Sequence, residues 1–252
     1  IFRLAHDPAA GLSFDPAGGN TLVAATSNGL WARSGPFVKD AEWTLVTISA
    51  STFVAVDGPY CSDVVWNDKG LWVTLVNAGA KSGLWRSTNG IAGPFSQIAL
   101  PGLEQPTRTS LAAAPHATDR MYVLGKTPTP VADKVGLAHL WMVDLTHSAT
   151  AARDVANFPV GLFASDVKKT GANFVIDGDQ ADYDQALAVT QDAGADLVVA
   201  AGSLKLSGGE WNASLFRLKS SGTAAANTLK TDFRPANQTN AVVDPTVIGG
   251  GI

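Results

Sequence analysis

Short apolar runs, several of them containing an aromatic residue, are separated along this sequence by polar clusters rich in Gly, Asn, Asp and Pro. Apolar runs of this length are typical of β-strands, and the clusters between them are typical of tight turns. The clearest run is Gly83–Ser87, and related aromatic runs surround Trp31, Trp141 and Phe216. The pattern predicts an all-β chain.

The aromatic runs recur at intervals of about 55 residues for the first three copies, which is the spacing of a repeated multi-strand unit. Strands are predicted at 12–14, 21–26, 30–33 and 43–46 in the first unit and at 63–66, 71–76, 83–86 and 95–98 in the second. The two units match strand for strand. A four-stranded unit repeated in this way predicts a β-propeller, in which antiparallel blades surround a central channel.

About four blades are predicted, at 11–48, 61–100, 108–159 and 173–235, and 242–252 is interpreted as the start of a further blade. A closed ring of four blades from this chain alone is possible but is the rare case. Four blades arranged as an open arc would leave a sheet face uncovered, which soluble proteins avoid. We therefore expect a larger ring of six to eight blades, completed by a second chain or by a remaining segment.

The turn after the Trp85 strand resembles the Asp-box of BNR propellers, whose repeat reads roughly Ser-x-Asp-x-Gly-x-Thr-Trp. Ser87 keeps the serine, Asn89 takes the Asp position, and Gly90 comes one residue early. Phe95 lies close to where the Trp would fall. The family includes sialidase-like proteins, xyloglucanase-type glycosidases, sortilin-type receptors and photosystem assembly factors. The resemblance therefore implies a propeller and leaves the function open.

Composition narrows the class of protein. The net charge of −4 argues against nucleic acid as the main partner, because phosphate binding favours a basic surface. Cys61 is the single cysteine, so the chain can form neither an internal disulfide nor a multi-cysteine metal site. No apolar run of 18 residues occurs, so no membrane span is predicted. Scarce cysteine, low lysine and abundant alanine favour a location outside the cell, in the periplasm or at the cell surface. The strand that begins at Ile1 and the apolar end at 247–252 favour a processed product or a fragment.

The most acidic segment is a candidate cation site. Asp177, Asp179, Asp182 and Asp184 lie close together there, and Ca²⁺ takes several carboxylate and carbonyl oxygens from one loop. The spacing differs from that of an EF-hand. The alternative is a solvated turn in which the aspartates act as turn formers. No other cofactor is predicted.

The innermost strands of a propeller line its channel, so their polar residues are candidate site residues. Ser13, Asp15, Ser62, Asp63, Ser110 and Gln185 are the positions of this kind. A glycoside hydrolase needs two facing carboxyl groups, for which Asp15, Asp63 and Asp182 are the candidates. Each aspartate has the alternative interpretation of a turn former. No serine nucleophile motif occurs in the chain.

Aromatic side chains are the remaining candidates. Most of the seven tryptophans lie on predicted strands and are expected to fill the space between blades. The candidates for ligand contact are Tyr183 and Trp211, which follows Gly208, Gly209 and Glu210 in a predicted loop. We favour a non-catalytic interaction protein that binds a protein or a glycan. The alternative is a propeller-type glycoside hydrolase.

Overall fold

The structure is a computed structural model that describes residues 3–6, 21–35, 42–49, 60–76, 78–101, 108–117, 119–126, 138–155, 168–170, 173–175, 185–192, 195–205, 211–221 and 230–235. Most of these residues are in β-strands. The described part of the chain contains no α-helix, only single 3-10 turns at Gly79–Lys81 and Gly90–Ala92. The prediction of an all-β chain is confirmed.

The strands form four four-stranded sheets and one separate hairpin. The first sheet contains β1 (Arg3–His6), β2 (Thr21–Thr26), β3 (Gly29–Ser34) and β4 (Thr44–Leu45). The second contains β5 (Tyr60–Asn67), β6 (Gly70–Val76), β7 (Gly83–Ser87) and β8 (Ser96–Ile98). The third contains β9 (Thr109–Ala113), β10 (Arg120–Lys126), β11 (Ala138–Asp144) and β12 (Arg153–Asp154). The hairpin is β13 (Lys168–Thr170) and β14 (Asn173–Val175), and the fourth sheet contains β15 (Ala186–Asp192), β16 (Ala195–Lys205), β17 (Trp211–Ser221) and β18 (Lys230–Pro235).

In all four sheets the strands are antiparallel and lie side by side in chain order. Two details differ from the sequence prediction. The first strand of the first sheet is Arg3–His6, whereas the predicted strand at 12–14 lies outside the described residues, as does 242–252. The hairpin β13–β14 is not part of the fourth sheet, although its second strand was placed in that unit.

The β5–β6 turn shows how the local sequence determines one hairpin. Asn67 pairs with Gly70, so Asp68 and Lys69 are the only residues in the turn. Gly70 has a φ of +140°, and a side-chain carbon there would overlap the backbone carbonyl of Ser87. Glycine is the residue that adopts such a φ without strain and lets a neighbouring strand approach closely.

Apolar residues on both faces of the strands pack the sheets together in chain order. The β6 strand is buried along its whole length. Its Val73 side chain packs with the first sheet, whereas the adjacent Trp72 packs with the third, because successive side chains point to opposite faces. A third core lies between the third and fourth sheets and contains Leu140 and Val198.

The first strands of the four sheets also contact one another in order, β1 with β5, β5 with β9, and β9 with β15. The polar residues of the candidate site lie along this line of contacts. It is the place where four sheets distant in sequence come together.

Candidate functional site

Asp63 is the one proposed catalytic carboxylate that the structure describes, and it joins three sheets. Nη1 of Arg3 on β1 lies 3.0 Å and 3.2 Å from the two carboxylate oxygens of Asp63. The backbone amides of Leu111 on β9 and of Val64 donate hydrogen bonds to the same carboxylate, each at 2.7 Å. Arg3 in turn donates to the carbonyl oxygen of Leu111 at 2.8 Å. The first strands of three sheets are thus connected through one side chain.

The bonding of Asp63 indicates a structural tie. Burial raises the pKa of its carboxyl group, and Arg3 with the two amides offsets only part of that effect. Only 7% of the Asp63 side chain is exposed, and both of its oxygens already accept hydrogen bonds. A carboxylate with these partners is well placed to hold strands together, whereas a general acid needs an oxygen free to reach substrate.

The other described candidates on the first strands also bond to neighbouring sheets. The Ser62 hydroxyl lies 2.8 Å from that of Thr74 and 2.7 Å from that of Thr109. Ser110 donates a hydrogen bond to Gln185 at 3.3 Å, which links the third sheet to the fourth. All these side chains are buried, so they satisfy one another in place of water.

A second ionic cluster links the third and fourth sheets away from the first strands. Arg120 bridges Asp144 at 3.3 Å and Asp196 at 3.2 Å, and the Tyr122 hydroxyl donates to Asp196 at 2.9 Å. Burial would raise the pKa of Asp144, but hydrogen bonds from the hydroxyl and amide of Thr146, with His147 and Arg120, together hold it below its usual value. This cluster also joins sheets.

A pocket of about 560 Å³ lies at one end of the second sheet. Its walls are the turn between β5 and β6, the turn after β7, and the start of β2. The lining residues are Thr21, Trp66, Asn67, Asp68, Gly70, Thr88, Asn89, Gly90, Ile91 and Ala92. The volume falls within the range of small-ligand sites, which is about 300–1,000 Å³.

The pocket combines an aromatic wall with converging polar groups. Trp66 is partly exposed, and a side-chain carbon added at Gly90 would lie 2.7 Å from its ring. The Gly90 turn therefore rests directly against the indole. Asp68, Thr88 and Asn89 are exposed at the rim. Asn67 is held in place because its side-chain oxygen accepts hydrogen bonds from the Lys69 amide and from the indole nitrogen of Trp72.

The turn that resembles an Asp-box forms one side of this pocket. The Ser87 hydroxyl accepts a hydrogen bond from the Asn89 amide at 3.1 Å, and Gly90 has a φ of +56°. The turn therefore directs the Thr88 and Asn89 side chains outward. The sequence analysis used this turn only as a sign of the fold and treated the β5–β6 turn only as a connection. The order of the strands could have shown that these two turns lie close together. The first and third turns of a four-stranded antiparallel sheet are at the same end of that sheet.

The remaining predicted site residues are placed as follows. Asp15, Asp177, Asp179, Asp182, Tyr183 and Asp184 lie outside the described residues. The prediction that Trp211 lies in a loop is wrong, because Trp211 is the first residue of β17 and pairs with Lys205. Within the described ranges, no group of three or more metal-ligating His, Cys, Asp or Glu side chains occurs. No helix in these ranges is long and apolar enough to cross a membrane.

Comparisons with models of known protein families, with curated proteins and with solved structures returned no match.

Proposed function

We propose that the four sheets are consecutive blades of a β-propeller and that the protein is a non-catalytic interaction module whose pocket binds a glycan. Two observations support the arrangement. Each sheet packs face to face on the next, and the first strands contact one another in chain order. Both features are expected when blades surround an axis with their first strands innermost.

The pocket at Trp66 carries the functional part of the proposal. Sugar rings have an apolar face of C–H groups and a rim of hydroxyls, so a sugar site combines an aromatic side chain with hydrogen-bonding groups. Trp66 supplies the aromatic surface, and Asn67, Thr88 and Asn89 supply amides and a hydroxyl. Asp68 adds a carboxylate, which disfavours acidic sugars. A neutral glycan therefore fits this pocket best.

The bonding of the inner-strand residues supports binding over hydrolysis. Both oxygens of Asp63 accept hydrogen bonds from neighbouring strands, Ser62 bonds to Thr109 of the third sheet, and Ser110 bonds to Gln185 beside the fourth sheet. These groups stabilise the contact between blades. A glycoside hydrolase would instead need a carboxyl group directed at the bond to be cleaved.

The test is glycan-array binding followed by calorimetry with the best neutral oligosaccharide. The variant combines Thr88→Ala with Asn89→Ala, because both side chains are exposed and their removal leaves the core intact. Loss of two hydrogen bonds is expected to weaken binding by roughly tenfold or more. The matched control is Ser96→Ala, an exposed position on the same sheet outside the pocket.

Equal affinities for the double variant and the control would refute the pocket as the binding site. Product formed from the bound oligosaccharide on prolonged incubation would refute the non-catalytic assignment.

A further inference from the structure

The aromatic residue on the third strand of each sheet belongs to a row of directly paired residues that crosses the sheet. We call this the aromatic row. Its members are Leu4, Ala24, Trp31 and Leu45 in the first sheet, Val64, Val73, Trp85 and Gln97 in the second, Leu111, Val123, Trp141 and Asp154 in the third, and Leu187, Ala200, Phe216 and Pro235 in the fourth.

In three sheets the described side chains of the aromatic row face the preceding sheet. Trp85 and Val73 pack with the core of the first sheet, and Trp141 and Val123 pack with the core of the second. Ala200 packs with the core of the third sheet, and Leu187 is next to it. The repeated unit is thus always packed in the same direction, with its aromatic row toward the unit before it.

The aromatic row of the first sheet faces away from the other sheets. The opposite face of that sheet, which contains Val23 and Leu30, is the one packed on the second sheet. Leu4 is 49% exposed and Leu45 is 43% exposed, and they are the large apolar side chains exposed in the described part of the chain. Trp31 is only partly buried, whereas Trp141 is 0% exposed. Ala24 of the same row is only 2% exposed, so the open part of this surface is at Leu4, Trp31 and Leu45, which no sheet among the described residues covers.

The fourth sheet presents the opposite kind of face, the one that in the earlier sheets packs on the following sheet. The described residues of its outer row are Ala188, Val199 and Arg217. The equivalent row of the second sheet is Val65, Trp72, Arg86 and Ser96, and the third sheet packs on its apolar residues. Both rows have two apolar residues followed by an arginine. Ala188 and Arg217 are exposed, and Val199 is partly exposed.

We propose that the aromatic row of the first sheet docks on the outer row of the fourth sheet of a second copy of this chain. The inference rests on the blade arrangement proposed above. In the first three contacts between sheets, an aromatic row packs on the outer row of the preceding sheet. The proposal extends this packing to two further, identical contacts between the two copies. Two copies then close a ring of eight sheets, the upper end of the common range for propellers. Such a contact joins different surfaces and is stable against filament growth only because the ring closes.

The experiment is light scattering after size-exclusion chromatography at micromolar concentration. The unmodified chain is expected at twice its mass of 26.1 kDa. Leu4→Glu places a charge in the aromatic row on the innermost strand and is expected to give single chains. The control is Thr44→Glu, an exposed position whose paired residue, Ala32, packs toward the second sheet, and it is expected to leave the dimer intact.

A charge-reversal pair tests which surfaces meet. Ala188 occupies the innermost position of the outer row, as Leu4 does in the aromatic row. Ala188→Lys alone is expected to weaken the dimer, and Leu4→Glu together with Ala188→Lys is expected to restore it. Circular dichroism of each variant checks that the sheets are retained.

A single-chain mass for the unmodified protein, open-ended assemblies, or a dimer that Leu4→Glu leaves unchanged would overturn the proposal. Glycan binding by the single-chain variants separates its failure from that of the proposed function, because the pocket is formed within one chain.

Discussion

The first and third sheets have the same strand order and carry a tryptophan on the same strand, yet the two tryptophans have different surroundings. Trp141 is fully buried against the second sheet, and its indole nitrogen donates a hydrogen bond to the carbonyl of Pro101 at 2.9 Å. Trp31 is partly exposed between Leu4 and Leu45 on the outward face of the first sheet. The strand pattern places the aromatic residue, and the neighbouring sheet determines how far it is buried.

These sheets therefore depend on one another for most of their stability. A four-stranded sheet with apolar residues on both faces cannot cover both of them by itself. The second and third sheets each have two neighbours, and their aromatic and aliphatic side chains are buried on both faces. The first sheet has one described neighbour, so a further contact would increase stability most at its outward face.

The largest expected difference is between the two tryptophans. Trp141→Ala should lower the free energy of unfolding by about 3–5 kcal/mol, because it leaves a cavity in a packed core. Trp31→Ala should cost clearly less, about 1 kcal/mol in the single chain, since its side chain is already partly hydrated. Urea denaturation of both variants at low protein concentration measures the difference. Equal losses of unfolding free energy in the two variants would show that the neighbouring sheet does not determine how much each tryptophan stabilises the fold.

A smaller effect is expected at the innermost strands, where Asp63 links the first sheet to the second and third. Asp63→Ala leaves the amides of Val64 and Leu111 without their partner, and should cost about 2–3 kcal/mol. The control is Asp68→Ala, because the Asp68 side chain is 58% exposed and its ion pair with Lys69 is at the surface. If Asp63→Ala changed the unfolding midpoint no more than the control, the tie between the sheets would be unsupported.

The smallest effect concerns pH and Asp144, which pairs with Arg120, the residue that bridges to Asp196 of the fourth sheet. The pKa of Asp144 is lower in the folded protein than its ordinary value, so its ionised form stabilises the fold at neutral pH. That contribution is lost as the pH falls through the depressed pKa. Unfolding measured from neutral to acidic pH should show Asp144→Asn less stable at neutral pH, with the difference from the unmodified chain shrinking on acidification. A difference independent of pH would show that the ionised form of Asp144 is not what stabilises this ionic cluster.

Much of the fold was predictable because its signals are local. The strands containing Trp85 and Trp141 are short apolar and aromatic runs, and the Asn67–Gly70 turn between β5 and β6 needs only its own residues. The β16–β17 hairpin was underestimated because Gly208 and Gly209 suggested a long loop. In the structure the strand pairing extends out to Lys205 and Trp211.

The candidate sites were harder to predict because they depend on long-range contacts. Arg3 and Asp63 are far apart in sequence, and only the contact between β1 and β5 brings them together. The pocket is lined by residues from three separate turns or strand ends, each of which is unremarkable by itself. Residue type identified Asp63 as important, but its hydrogen bonds were needed to distinguish a structural tie from a catalytic carboxylate.

The aromatic rows of the later sheets are covered by the preceding sheet, whereas the row of the first sheet is available to a second copy. Hydroxyl-radical footprinting with peptide-level mass spectrometry tests it at each tryptophan. At low concentration, Trp31 should be oxidised faster than Trp85, which is 8% exposed, and Trp141 should be the most protected. Raising the concentration should protect Trp31 and leave the others unchanged. Oxidation of Trp141 as fast as that of Trp31, or a Trp31 rate that does not depend on concentration, would contradict the account.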